Sequence, residues 1–327
     1  MKLRLAVVFL VTAACLGWVL HGLDWAIVAE SLGTFSWVSL LPILTLYTIT
    51  HLLRAQRFRI LLPGELSFRN SLAVLSVGYL ALHVMPLRMG ELVRPYLARE
   101  RYQIPFGDSL AVVLIERLLD VLMLLAMLGG VAFFVDLPSS IVVQGVDVLA
   151  VGQKAAGAVV GGGVVGIAIV VAVGEPVLKI TDRLPLGGMA RTFRDALRSL
   201  GKRPAIGLQA VILTIIMWAI TIVAVQIQLS GFAAMPARWD VALTTWTATL
   251  AGMAAIPTPG FFGGFEAACA AALQLFDVET SVARTFGILL HLTQFGFTIG
   301  TGLIFLAWEG LSLREIVTKS RLSDAPG

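Results

Sequence analysis

The sequence predicts an all-α polytopic membrane protein with six transmembrane helices and two re-entrant broken helices in an inverted repeat. Of its 327 residues, 58% are hydrophobic and 13% charged, whereas soluble domains are about 45–50% apolar and about a quarter charged. Apolar runs near the ~20 residues that cross a bilayer recur along the whole chain. Two of these runs are interrupted by proline and glycine. No segment is left for a separate soluble core.

Six runs are long enough to be complete spans. Two others, which begin at Ser71 and Val241, are broken at residues 86–91 and 257–266. The chain then divides into a first membrane repeat at 1–135 and a second at 136–327, which includes a cytoplasmic amphipathic linker at 179–203. The complete spans are residues 5–20, 35–53, 109–135, 155–173, 205–229 and 284–308.

The distribution of lysine and arginine predicts the orientation, because these residues accumulate in short cytoplasmic loops. Most of the 24 basic residues fall inside if both termini are cytoplasmic and the chain lies in the cell inner membrane. Arg54, Arg57 and Arg59 then form a cytoplasmic loop after the second span. This count holds only if each broken segment enters and leaves on the same side of the membrane. The first then enters from the cytoplasm and the second from outside.

The two halves repeat the order span, span, broken segment, span, with corresponding elements about 170 residues apart and opposite in direction. Non-helical backbone at membrane depth is tolerated only where protein or a water-filled cavity surrounds it. The two breaks therefore predict one shared cavity near the middle of the membrane, which is where carriers bind their substrates.

The net charge and the cysteine content restrict the classes of partner and cofactor that we expect. The net charge is +4, and the basic residues lie beside apolar spans, which favours anionic phospholipid headgroups over nucleic acid. Cys15 and Cys269 have no metal-ligand or disulfide spacing, so we expect no metal and no cofactor. Motifs of ATPases and of serine or zinc hydrolases are absent from the sequence.

In the first break, Arg88 and Arg94 flank Gly90 and Glu91. Two cations beside a glycine, which lets the backbone approach a ligand, suit a phosphate headgroup. The alternative for Arg94 is an ordinary cytoplasmic anchor.

The span that follows contains Glu116, Arg117 and Asp120 near one helical face. Each charge costs roughly 2.5 to 3.5 kcal/mol at the centre of a membrane helix, so such residues usually have a role. They either handle a headgroup or protons, or form an intrahelical pair between Arg117 and Asp120 that only fixes the broken segment.

The second break contains a carboxylate among residues that reverse the chain. Glu266 either caps the outbound half-helix or acts as a protonatable gate beside an anionic ligand. His291 and Gln294, on the last span, and His83, at the end of the first inbound arm, are either packing residues or part of the site. The residues that end and reverse this segment are Pro257, Pro259, Gly260, Gly263 and Gly264.

The two breaks, with their PLRMGE and PTPGFFGGFE segments and the ER-x-x-D pattern at residues 116–120, resemble those of the lysylphosphatidylglycerol synthase transmembrane, or flippase-like, family. The resemblance covers nearly the whole chain. It implies movement of a phospholipid or lipid-linked headgroup between leaflets, with the matched arginines and carboxylates near the path. Because no soluble aminoacyl-transferase domain precedes residue 327, we do not expect synthesis of lysylphosphatidylglycerol.

The leading hypothesis is therefore a flippase-like carrier in which Arg88, Arg94 and Arg117 hold a phosphate and the neighbouring carboxylates neutralise them or shuttle protons. One alternative is an intramembrane lipid-modifying enzyme, or its accessory subunit, with Glu116 or Asp120 as base. Another is a proton-coupled transporter of small solutes.

Overall fold

The computed structural model describes residues 19–85, 90–136, 200–255 and 258–310, and a few positions outside these ranges. This part of the chain is helical except for a hairpin of two-residue strands, β1 (Val142–Val143) and β2 (Val146–Asp147). A 3₁₀ turn at Trp37–Ser39 leads into the second helix. The helices are α1 (Trp25–Thr34), α2 (Leu40–Leu61), α3 (Phe68–Val84), α4 (Val93–Tyr102), α5 (Phe106–Phe134), α6 (Pro204–Ser230), α7 (Trp239–Ala255), α8 (Gly264–Gln274) and α9 (Thr280–Trp308).

Several predicted features lie outside the described residues. They are the span at 155–173, most of the span at 5–20, most of the linker at 179–203, and Arg88 and Pro257 in the two breaks.

By length and composition, three described helices are able to cross a membrane: α2 with its preceding 3₁₀ turn, α6 and α9. The 27 residues of α6 rise about 40 Å at 1.5 Å per residue, which exceeds a hydrocarbon core of about 30 Å. Helix α5 equals α9 in length, at 29 residues each, although it carries three charges near its middle. The protein is thus a helical membrane protein.

The helices of the two broken segments match in length. Helices α3 and α7 each have 17 residues, and the shorter α4 and α8 have 10 and 11. Ser67 caps α3 by accepting a hydrogen bond from the Asn70 N–H (3.2 Å), which satisfies one free donor of the first turn.

The first broken segment begins and ends beside the same end of α9. The Arg69 guanidinium, at the start of α3, lies 4.1 Å from the ring centre of Trp308. Arg101, at the end of α4, donates to the Glu309 carbonyl oxygen (3.0 Å). The segment therefore turns back within the bundle.

The second broken segment is held at the opposite end of the bundle. The Gln226 side chain, near the end of α6, donates to the carbonyl oxygen of Ala237 (2.6 Å), two residues before α7. The Gln274 side chain, at the end of α8, donates to the Thr280 hydroxyl at the start of α9 (3.2 Å). This segment also returns to the end from which it starts.

Small residues allow the broken segments to pack closely in the bundle, as is common in membrane proteins. A Cβ atom at Gly252 of α7 would lie 2.4 Å from the Cβ of Ala268 on α8. A Cβ atom at Gly302 of α9 would lie 2.5 Å from the Cβ of Leu80 on α3. The half-helices are therefore in backbone contact with their neighbours.

One predicted boundary is wrong. Hydropathy places the end of the second span at residue 53, but α2 continues to Leu61. Arg54 and Arg57 therefore lie within the helix, and Arg57 is buried, with 1% exposure. The guanidinium is buried because carboxylates from another helix compensate its charge, which a hydropathy average does not register.

Candidate functional site

The second break is a tight turn closed by a carboxylate. Gly260 and Gly263 have φ angles of +61° and +88°, which a side chain would strain. Glu266 Oε2 accepts a hydrogen bond from the Gly263 N–H (2.7 Å), and its Oε1 lies 2.7 Å from His291 Nδ1. Glu266 therefore caps α8 and also pairs with the last helix.

The first break is packed against the helix that precedes it. A Cβ atom at Gly90 would lie 2.1 Å from the backbone nitrogen of Leu82. This contact, rather than an approach to a ligand, accounts for the glycine. Glu91, the next residue, is half-buried and interacts electrostatically with Arg117.

Glu116 lies between two buried arginines. Its Oε2 is 2.5 Å from Arg94 Nη1, and its Oε1 is 3.4 Å from Arg57 Nε. Glu116 has 0% exposure, and Arg57 and Arg94 have 1% each. The Arg94 side chain also crosses Gly78, where a Cβ atom would lie 2.2 Å from Arg94 Cγ. Glu116 thus joins α4 to α2 through compensated charges.

Asp120 extends this network toward more accessible space. Its Oδ1 lies 3.0 Å from Arg57 Nη1, and its Oδ2 lies 3.0 Å from Arg117 Nη2. Arg57 Nη1 also donates to the Thr214 hydroxyl (2.8 Å) on α6. The predicted pair between Arg117 and Asp120 is present, and Asp120 is shared with Arg57 of a second helix, α2. The side chains of Arg117 and Asp120 retain 28% and 19% exposure.

A cavity of about 290 Å³ lies beside this network, between the helices of both halves. Its charged lining residues are Arg54, Arg117 and Asp120. Eight aromatic side chains and three histidines form much of the remaining wall. They are Tyr47, Tyr79, Trp218, Trp246, Phe261, Phe265, Phe295 and Phe297, with His51, His83 and His291.

The two breaks meet at this cavity. The ring of His83, at the end of the first inbound arm, lies 5.6 Å from the ring of Phe261 in the second break and 5.7 Å from that of Phe295 on α9. His291 stacks on Phe265, with ring centres 4.4 Å apart. The cavity is therefore built jointly by the two broken segments and α9.

Some polar atoms in the wall are buried without a partner among the described residues. They include Thr50 Oγ1 and Trp246 Nε1, whose residues are 5% and 4% exposed. Arg117 Nε is a third. Buried polar atoms are costly unless they form hydrogen bonds, so their presence favours water or a polar ligand in this space.

Comparison with protein families identifies the chain. Residues 3–302 match the model of the lysylphosphatidylglycerol synthase TM region. The chain belongs to this family. The resemblance inferred from the two breaks and the ER-x-x-D pattern is thus confirmed. No curated protein and no solved structure matches the chain.

In this member of the lysylphosphatidylglycerol synthase TM region family, the residues singled out in the sequence occupy three environments. Arg117, Asp120 and His291 line the cavity. Arg94 and Glu116 lie in the adjacent buried network, outside the cavity wall. The remaining described candidates, Gly90, Glu91, Pro259, Gly260, Gly263, Gly264 and Glu266, belong to the two breaks.

Sequence reasoning missed Arg54 and Arg57, because they were placed in a loop. Their spacing could have revealed them. If the helix continues past residue 53, Arg54 and Arg57 lie on one face with Thr50 and Tyr47, at intervals of three or four residues. The two tryptophans of the wall, Trp218 and Trp246, were also missed, because apolar aromatic residues are ordinary in membrane spans.

Proposed function

We propose that the protein is a carrier that moves an anionic phospholipid, or another lipid-linked headgroup, across the cell inner membrane. The observation that carries the proposal is the cavity shared by the two breaks, with Arg54 and Arg117 in a wall that is rich in aromatic residues. A phosphate with an attached alkyl chain has the chemistry that such a wall would accept.

The charges of the wall suit a phosphodiester. Arg54 and Arg117 are cationic and Asp120 is anionic, so the described lining has an excess of one positive charge when its histidines are neutral. Arg54 forms no ion pair with a described carboxylate, although it lies 5.4 Å from the ring centre of Tyr79. A singly charged phosphodiester would balance this excess in a site of low dielectric constant.

The size of the cavity favours a headgroup without its acyl chains. Pockets for small molecules are usually about 300–1,000 Å³, and this cavity is near the lower limit. Val121 belongs to its wall and has 47% exposure, so the wall reaches the surface of α5. In the proposed mode, the headgroup enters the cavity while the acyl chains stay in the membrane.

We also propose the full predicted architecture: six spans and two re-entrant segments in an inverted repeat, with both termini cytoplasmic. Its support is the matched lengths of α3 with α7, α4 with α8 and α5 with α9. A second support is that each broken segment returns to its own end of the bundle. Inverted repeats allow one half to move against the other around a fixed site.

The buried network has a supporting role in this proposal. Both carboxylate oxygens of Glu116 are engaged by buried arginines: Oε2 by Arg94, and Oε1 by Arg57, which also has Asp120 as a partner. We therefore assign Glu116 to holding α4 against α2 and α5, rather than to carrying protons. The same argument disfavours the alternative of a lipid-modifying enzyme with Glu116 as base.

The test is movement of labelled phosphatidylglycerol between the leaflets of proteoliposomes that contain the purified chain. We expect Arg117→Ala and Arg54→Ala each to slow movement by at least about tenfold, because loss of a charge-assisted hydrogen bond costs about 1.5–3 kcal/mol. Arg99→Ala is the matched control, since Arg99 is exposed on α4. An Arg54→Ala/Arg117→Ala double variant that is as fast as the parent would contradict the proposal.

A further inference from the structure

The cavity contains three imidazoles, although the whole sequence has only four histidines. They come from three different helices: His51 from α2, His83 from α3 and His291 from α9. Histidine is the side chain whose ordinary pKa places its change of charge between about pH 5 and 8. The cavity therefore gathers three groups that can bind a proton.

Each of the three rings is fixed by one nitrogen. His83 Nδ1 lies 2.8 Å from the Tyr79 carbonyl oxygen, which can only accept, so this nitrogen carries the hydrogen. His291 Nδ1 donates in the same way to the Glu266 carboxylate (2.7 Å). In both rings Nε2 is then the basic nitrogen when the ring is neutral.

The position of the ring hydrogen of His51 is likewise set by its partner, which is a hydroxyl group. The Ser76 hydroxyl donates to the Leu72 carbonyl oxygen (2.7 Å), so it accepts from His51 Nε2 (2.7 Å). The basic nitrogen of His51 is therefore Nδ1. In all three rings, the second nitrogen forms no hydrogen bond within the described part of the protein.

We infer that the three histidines are proton-binding sites of the cavity, and that binding of an anionic headgroup is coupled to proton uptake by their free nitrogens. This inference rests on the proposed lipid-binding function of the same cavity. It assigns the protonatable role to the imidazoles, because the negative charges of Asp120 and Glu116 are already compensated by arginines.

The coupling follows from the charges that face the rings. Without a ligand, Arg54 and Arg117 oppose any further positive charge in the cavity. A phosphodiester offsets these guanidiniums, so the headgroup and the protons favour each other's binding. In the described part of the chain, the ionisable groups around the rings are Arg54 and Tyr47 from α2, Tyr79 from α3, Arg117 and Asp120 from α5, and Glu266 from α8. His83 and His291 also interact electrostatically with each other.

The experiment is a calorimetric titration of the full chain in detergent with dihexanoyl phosphatidylglycerol as the probe. Titrations in buffers of different ionisation enthalpy give the number of protons taken up when the probe binds. We expect net proton uptake, and an affinity about tenfold higher near pH 5.5 than near pH 7.5, within the usual range of coupling between sites. Dihexanoyl phosphatidylcholine, which has no net charge, should show neither effect.

Two variants and a matched control show whether the cavity histidines take up the protons. His83→Gln and His291→Gln should each reduce proton uptake and flatten the pH dependence, while the probe still binds through Arg54 and Arg117. His83→Gln is the safer variant, because His83 bonds only to its own helix. His21→Gln is the control, since His21 is exposed and outside the cavity wall, and it should behave like the parent.

The outcomes separate the two proposals. Binding without proton uptake, or uptake that is as large as in the parent in both cavity variants, overturns the coupling and leaves the proposed lipid binding intact. Absence of binding at every pH overturns both.

Discussion

Replacing Glu116 by glutamine tests whether the buried network holds the first broken segment in place. The substitution keeps the shape of the side chain but removes the charge between Arg57 and Arg94. Arg57 retains Asp120 at 3.0 Å and the Thr214 hydroxyl at 2.8 Å. Arg94 loses the carboxylate that lies 2.5 Å from its Nη1. The substitution should therefore mainly weaken the attachment of α4 to the bundle.

The expected loss is about 3–5 kcal/mol of unfolding free energy, the range for removing one partner of a buried ion pair. Asp120→Asn is the matched control. Its carboxylate is 19% exposed, and Arg57 would keep Glu116. We expect about 1.5–3 kcal/mol for this variant, as for a hydrogen bond to a charged group.

The assay is unfolding in mixed micelles titrated with sodium dodecyl sulfate and followed by tryptophan fluorescence. Trp218 and Trp246 are suitable reporters, because they are 8% and 4% exposed in the folded protein. Adding Arg94→Met to Glu116→Gln removes the stranded charge. The double variant should lose less than the sum of the single losses, by about 0.5–3 kcal/mol.

Two results would refute this reasoning. One is a loss below about 1 kcal/mol for Glu116→Gln, which is the size expected of an exposed ion pair. The other is a double variant whose loss equals the sum of the two single losses, since neighbours in one network should not be additive.

Two further predictions concern neighbouring contacts. Gly78→Ala should displace the Arg94 side chain and lower the unfolding free energy by about 1–3 kcal/mol. It should have little effect in an Arg94→Ala background, which removes the Cγ and Cδ atoms that the new Cβ would meet. Gly107→Ala, whose Cβ atom meets nothing within 4 Å, should be neutral. Burial and then Glu309 raise the pKa of Tyr102 to about 12, so stability from this phenol is present below about pH 10 and lost as pH rises through 12. Absorbance at 295 nm should show a transition near 12 that Tyr102→Phe removes and Glu309→Gln lowers; an unchanged midpoint in Glu309→Gln would contradict the role of this carboxylate.

Local sequence signals predicted the broad class well. Helices α5 and α9 end within one residue of the predicted spans, because apolar composition decides which segments enter a membrane. The breaks were located by proline and glycine, which act through their own backbone preferences. The family resemblance rested on the same short segments, and the match over residues 3–302 confirms it.

The candidate site was predicted only in part, because membrane depth was judged from hydropathy. An arginine lowers a hydropathy average whether it is exposed or paired. Arg57 was therefore assigned to a loop. Its pairing was not foreseen because its partner, Asp120, lies 63 residues away in the chain. Arg94 was expected either to hold a ligand or to be an ordinary cytoplasmic anchor, and the structure shows that it pairs with Glu116.

By itself, the sequence determined that the chain enters a membrane as helices, where two of its apolar segments are interrupted, and that Glu116, Arg117 and Asp120 lie near one another. These properties depend on neighbours within a few residues. Only the tertiary structure decided which charges are compensated and which line the cavity. The energy of a buried charge depends on distances of a few ångströms between helices, and residues far apart in the chain, such as Arg57 and Thr214, set those distances.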